Sequence, residues 1–133
     1  MGICIAVALS SAILARLPDR VTLAWEHTVE KVRWEEDYET LGDRLVLAQA
    51  RVKGTGAGME MPPGAVLAGG AWRYRPDLPP LRVIYLRNLE LPLGYDVCWE
   101  GRCRRLRTLI GSDDRLLALV PCASAAASGD SSP

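Results

Sequence analysis

Over most of its length the chain alternates apolar and polar residues with a period of two. Val21, Leu23, Trp25 and His27 fall on one side of a stretch whose other side carries Thr22, Ala24 and Glu26. In the next stretch Val32, Trp34, Glu36 and Tyr38 share a side, and Lys31, Arg33, Glu35 and Asp37 take the other. Successive side chains of a pleated strand point to opposite faces, so both stretches read as half-buried β-strands, the charged side solvated. Leu41-Gly42-Asp43 is a turn, and Arg44 to Lys53 is a third strand rich in Leu, Val and Ala. Shorter candidates are Ala65 to Gly69, Ala71 to Arg75, Leu81 to Asn88, Tyr95 to Trp99, Arg102 to Thr108 and Arg115 to Val120. Outside Ile3 to Ala15 no stretch sustains a helical period. The pattern predicts an all-β fold, an antiparallel β-sandwich or small barrel of about 7–9 short strands.

Two segments break the alternation. Ile3 to Ala15 is continuously apolar. It falls short of the roughly 20 residues that span a membrane. It suits the apolar region of a secretory signal, although no Lys or Arg precedes it. This reading divides the chain into a signal peptide or short membrane anchor at 1–17, one β-domain at 18–122 and a disordered tail of small and polar residues at 123–133. The other reading of the run is a buried N-terminal helix. Cys4 lacks the upstream residues of a lipoprotein signal and is not read as lipidated.

The second break runs from Lys53 through Gly54-Thr55-Gly56-Ala57-Gly58-Met59-Glu60-Met61-Pro62-Pro63 to Gly64. Glycine tolerates positive φ and lets other atoms approach the backbone. The stretch is not a phosphate-binding loop, because no Gly-Lys-Ser/Thr ending and no helix pattern follow. It reads either as a wide connection between sheets or as the lip of a binding site, with Met59 and Met61 as its apolar part.

The 133 residues carry a net charge of +0, which fits one domain and argues against binding nucleic acid through bulk charge. The balance is uneven along the chain. Glu26, Glu30, Glu35, Glu36, Asp37, Glu39 and Asp43 precede a region dominated by Arg44, Arg51, Lys53, Arg73, Arg75, Arg82 and Arg87. Either adjacent strands carry complementary charges across a sheet, or an acidic face awaits a partner or cation.

Glu100-Gly101 reads as a two-residue hairpin loop, which sets Trp99 opposite Arg102 and Cys98 opposite Cys103. The second pair is then the non-hydrogen-bonded one, whose Cα atoms approach closely enough for a disulfide. A Cys98–Cys103 bridge is expected, with Asp96 and Arg105 as the next such pair along the same face. Together with an apolar leader it implies an oxidising, exported location: periplasmic or otherwise extracytoplasmic, secreted or tethered to the inner membrane. Cys122 is then the odd cysteine, with pairing to Cys98 or Cys103 as alternatives. The spacing of cysteines and the single histidine matches no common zinc pattern, so no metal and no cofactor is expected.

His27 lies in Glu26-His27-Thr28-Val29-Glu30-Lys31. It reads as a strand-end histidine bonded to a neighbour, or as part of a polar cluster of His27, Thr28, Glu30 and Glu36 presented to a ligand. Glu35 and Glu36 are strand neighbours facing opposite ways, so they are not a catalytic carboxylate pair. A hydrolase centred on His27 lacks a visible nucleophile, base and orienting group. Trp72, Tyr74, Tyr85 and Trp99 read as core or sheet-face aromatics.

His27-Thr28-Val29-Glu30-Lys31, continuing through Glu35-Glu36-Asp37-Tyr38, resembles a His-Ser-Val-Glu-Lys/Arg…Glu-Glu-x-Tyr signature. Gly56-Ala57-Gly58-Met59 resembles the Gly-Ala-Gly-Leu/Met that follows it in the same family. That family is catalogued as domain of unknown function 1850. Thr28 replaces the usual serine and keeps a hydroxyl, and Arg33 stands where proline is common. The resemblance covers about Val21 to Cys122. It implies a small exported protein, often encoded beside TAXI-type TRAP transporters, and no reaction. The implied role is a non-enzymatic accessory that contacts the transporter permease or its solute-binding protein. The alternative is a small ligand- or cation-binding module using His27, Thr28, Glu30, Glu36 and Gly56, Ala57, Gly58 and Met59. Antiparallel connectivity would bring those two motifs to one end of the domain.

Overall fold

The structure, a computed structural model, describes residues 2–27, 32–53, 61–88 and 94–122, with His27 described through its backbone alone. In chain order the elements are β1 (Gly2–Val7), β2 (Ile13–Leu17), β3 (Arg20–His27), β4 (Val32–Leu41), β5 (Arg44–Lys53), β6 (Val66–Ala68), β7 (Ala71–Tyr74), β8 (Ile84–Arg87), β9 (Asp96–Trp99), β10 (Arg102–Arg105), α1 (Leu106–Ile110) and β11 (Leu116–Cys122). The strands form two antiparallel sheets, ordered β2-β1-β11-β8 and β10-β9-β3-β4-β5-β7-β6. They are open sheets packed as a sandwich, not a closed barrel. Ile3, Ile5, Leu17, Leu86, Leu117 and Leu119 of the small sheet meet Val21, Leu23, Tyr38, Leu45, Leu47 and Val97 of the large one in the core.

The apolar run at the start is not a segment in front of the domain. β1 pairs with β11 from Gly2↔Cys122 to Val7↔Leu117, and with β2 on its other side. Ile3, Cys4 and Ile5 are fully buried. A strand covered on both faces reads as an unbroken apolar run, which periodicity alone does not separate from a leader or a buried helix. The domain therefore takes in residues assigned to a leader at 1–17, and the small sheet depends on them. The tail expected at 123–133 lies outside the described residues.

Cysteine pairing follows from the same strand. Cys122 bonds to Cys4, not to Cys98 or Cys103, across neighbouring strands with Cα atoms 5.8 Å apart. The Cys98–Cys103 bridge forms as expected, with Cα atoms 4.0 Å apart. Its loop residues Glu100 and Gly101 both have positive φ, 52° and 78°, as a type I′ turn requires. Arg105 and Asp96 pair at 3.2 Å on the same face. Among the described residues no helix is long and apolar enough to cross a membrane. The two disulfides are compatible with an extracytoplasmic location.

Two local irregularities shape the large sheet. Asp37 pairs with Gln49 but Tyr38 pairs with Leu47, so Ala48 is an extra residue in β5. Inward positions of β5 are Leu45 and Leu47 before the bulge and Ala50 and Val52 after it. Arg51 consequently points outward. The strand predicted over Arg102 to Thr108 stops at Arg105, where α1 begins and buries Leu106. Asn88, almost fully buried, donates from Nδ2 to the carbonyls of Gly111 (2.7 Å) and Asp113 (2.8 Å), which fixes the loop leading into β11.

Candidate functional site

The two faces of β4 have different chemistry. On the outer face Glu35 accepts from Arg33 Nε (3.0 Å) and Arg51 Nε (2.9 Å), and Lys53 lies 3.4 Å away. Asp37 accepts from Arg51 Nη2 (2.7 Å) and from the Thr22 hydroxyl (2.6 Å). Arg33 also reaches Asp96 at 3.4 Å, and Arg20 pairs with Glu39 at 3.5 Å. Burial alone would raise Glu35 and Asp37, but the Arg51 hydrogen bonds, joined by Arg33 at Glu35 and Thr22 at Asp37, outweigh it and hold both carboxyls below their ordinary values. A cleft of about 460 Å³ opens on this face beside the Cys98–Cys103 hairpin, bordered by Arg20, Thr22, Asp37, Glu39 and Arg51. Its charges satisfy one another. On this face, then, the uneven charge of the sequence resolves into complementary pairs across strands.

The inner face differs. Glu36 sits there, half-buried, and accepts a hydrogen bond of 2.8 Å from the Tyr38 hydroxyl. Register places Leu23 and Ala50 beside it on the flanking strands and Trp25, Trp34 and Val52 one step along. Tyr74 follows through its pairing with Ala50. The Trp25 and Trp34 rings stack with centroids 6.4 Å apart, and Tyr95 meets Trp25 edge-on at 5.6 Å. Burial pushes the Glu36 carboxyl up, and the Tyr38 hydrogen bond only partly opposes it. Burial and then the Glu36 charge raise Tyr74 and Tyr95, and the same causes lift Tyr38 far above the ordinary phenol range.

Of the ligand-binding candidates singled out from sequence, Glu36 is the one whose side chain is described. His27 ends β3, its backbone paired with Val32. Thr28, Glu30, Gly56, Ala57, Gly58 and Met59 lie outside the described residues. The strand ends that lead into both motifs are nevertheless described. Lys53, the last residue of β5, pairs with Arg33, next to Val32. The chain therefore leaves β3 toward Thr28 and β5 toward Gly54 at the same end of the large sheet, past the Trp25 and Trp34 rings. Glu35 and Glu36 face opposite ways, as strand geometry demands.

Trp25, Trp34, Tyr38, Tyr74 and Tyr95 join Glu36 without having been singled out as site residues. Trp34 and Tyr38 were within reach, because they share its side of the period-two pattern. Tyr74 and Tyr95 arrive through β7 and the approach to β9, pairings that no local pattern carries. Among the described residues no group of three His, Cys, Asp or Glu side chains converges on a metal position.

A family model described as a domain of unknown function, DUF1850, matches residues 21–106. The chain belongs to the DUF1850 family. No curated protein and no solved structure matches it. The DUF1850 match takes in β4, β5 and every residue of the Glu36 cluster, whereas β1, β2 and β11 lie outside it. The part of this DUF1850 domain that carries the cluster is thus the part the family defines, and the small sheet is completed by strands on either side of it.

Proposed function

We propose that this DUF1850 domain is an exported, non-enzymatic binding module that serves a TAXI-type TRAP transporter by contacting the permease or its solute-binding protein. The binding half of the reading is carried by one observation. Glu36 is a half-buried carboxylate set among aromatic rings at the sheet end from which both motifs depart. A binding site with a few placed polar groups among apolar and aromatic walls has this character. Hydrolysis is not favoured, since Glu36 has a phenol for a partner and Glu35 is committed to arginines on the other face. Export is supported by the two disulfides. The transporter setting rests on the resemblance of the His27 and Gly56 motifs.

Tagged protein should co-purify with the neighbouring permease or solute-binding subunit, and its deletion should impair uptake. Normal uptake together with no association would sink the accessory role. For binding, a thermal-shift screen of organic cations, organic acids and divalent metals should give stabilisation by mass action that Glu36→Gln or His27→Ala removes. A blank screen in the wild-type protein would count against a binding site.

A further inference from the structure

We propose that the inner face around Glu36 binds a small organic ammonium group, its charge held by the carboxylate and its alkyl substituents by the surrounding rings. This deepens the binding reading above and rests on it.

The first ground is a contrast within one strand. β4 carries four carboxylates. Glu35 has Arg33 and Arg51, Asp37 has Arg51, and Glu39 has Arg20. Glu36, flanked by Leu23 and Ala50, has among the described residues no cation and only the Tyr38 hydroxyl as a donor. A half-buried carboxylate without a counter-charge is unfavourable, and the carboxyl responds by holding its proton more tightly. A ligand cation would supply what the protein supplies to the other three.

The second ground is the nature of the walls. The Trp25 and Trp34 rings stack on one side, Tyr95 stands edge-on to Trp25, and Tyr38 and Tyr74 complete the surround. Aromatic faces attract cations, and a desolvated ring strengthens binding by roughly 5- to 30-fold. Rings beside an acidic group are the recurring chemistry of alkylammonium recognition. A hard divalent metal is a poor match, because it takes six or more oxygen ligands and this face offers one carboxylate and phenols. An anion is repelled by the ionised carboxylate.

Three probes of nearly equal shape separate the alternatives: tetramethylammonium, tert-butanol and pivalate, titrated at constant ionic strength with tryptophan fluorescence as readout. Tetramethylammonium should perturb the emission saturably, and tert-butanol and pivalate should bind at least about tenfold more weakly. Glu36→Gln should weaken tetramethylammonium about tenfold or more, and Tyr95→Leu several-fold. Circular dichroism checks that each variant is folded; should Glu36→Gln fail to fold, Tyr95→Leu and the probe series decide. Equal binding of tetramethylammonium and tert-butanol, or a tetramethylammonium affinity indifferent to both variants, overturns the ammonium assignment. Preferential binding of pivalate that depends on Glu36 overturns it too, while leaving the binding reading intact. Failure of all three probes removes the ammonium assignment, and the binding reading falls with it only if the wider thermal-shift screen is also blank.

Discussion

Removing the two disulfides one at a time separates what each contributes. Cys4–Cys122 spans 118 residues of sequence and Cys98–Cys103 spans 5. A bridge stabilises mainly by shrinking the unfolded ensemble, and the effect grows with the logarithm of the loop closed. For those lengths the chain-entropy relation gives about 4.9 kcal/mol for the long bridge and about 2 kcal/mol for the hairpin bridge at 25 °C. The difference, about 2.8 kcal/mol, depends only on the ratio of the loop lengths. With an unfolding entropy of about 0.25 kcal/mol/K for a domain of this size, the paired variant Cys4→Ala/Cys122→Ala should lower Tm by about 20 °C and Cys98→Ala/Cys103→Ala by about 8 °C. Cys4 is fully buried, so truncation there adds a small cavity cost in the same direction. Thermal unfolding followed by circular dichroism without reductant measures both, and intact mass confirms that the remaining bridge is formed. If the hairpin pair costs as much Tm as the long pair, the loop-closure reasoning is wrong.

The other predictions concern charge and one latch. Glu36→Gln should raise stability at pH 7. The raised carboxyl makes folding less favourable as pH climbs past its unfolded value, and Gln removes that penalty. Tyr38, Tyr74 and Tyr95 are the other described groups facing it that titrate, and they do so far above that window; urea unfolding of both proteins at pH 4 and pH 7 should show the gap closing at the lower pH. Arg51→Leu should lower stability by about 1–2 kcal/mol at pH 7. It should also flatten the acid limb of the stability profile. Glu35 and Asp37, held low by Arg51, contribute stability above the ordinary carboxylate range and lose it as pH falls through their folded values. Asn88→Ala should cost about 2–3 kcal/mol in the same assay, since it strands the Gly111 and Asp113 carbonyls.

Alternation and turn residues were enough to find nine of the eleven strands among the described residues, because β3 to β11 each expose one face or end at a turn residue. β1 was invisible as a strand for the opposite reason: Ile3, Cys4 and Ile5 are covered on both faces, so there is no polar side to alternate with. That single ambiguity also hid the Cys4–Cys122 bond, since a cysteine assigned to a leader is no candidate partner. The hairpin bridge was legible because its register is set by two local turn residues. At the site, Glu36 and its side of β4 could be read from spacing. Tyr74 and Tyr95 could not, because strand order in the sheet, β9 beside β3 and β7 beside β5, is decided by contacts far apart in sequence. The short helix at Leu106 was missed because five residues carry too little period to detect.

The bulge at Ala48 makes β5 two rulers laid end to end, odd-numbered before the join and even-numbered after it. Leu45 and Leu47 serve the hydrophobic core, and Ala50 and Val52 lie on the ring-lined half beside Glu36 and Trp34. Deleting Ala48 would therefore close the joint without turning either run over, because Leu47 and Ala50 would then be two residues apart and Tyr38 and Asp37 would still face Leu47 and Gln49. Deleting Val46 or Arg51 instead would set two inward residues side by side, Leu45 with Leu47 or Ala50 with Val52, and force one of each pair outward. The joint is thus the one place in β5 where a single residue can be lost while both inward faces stay as they are.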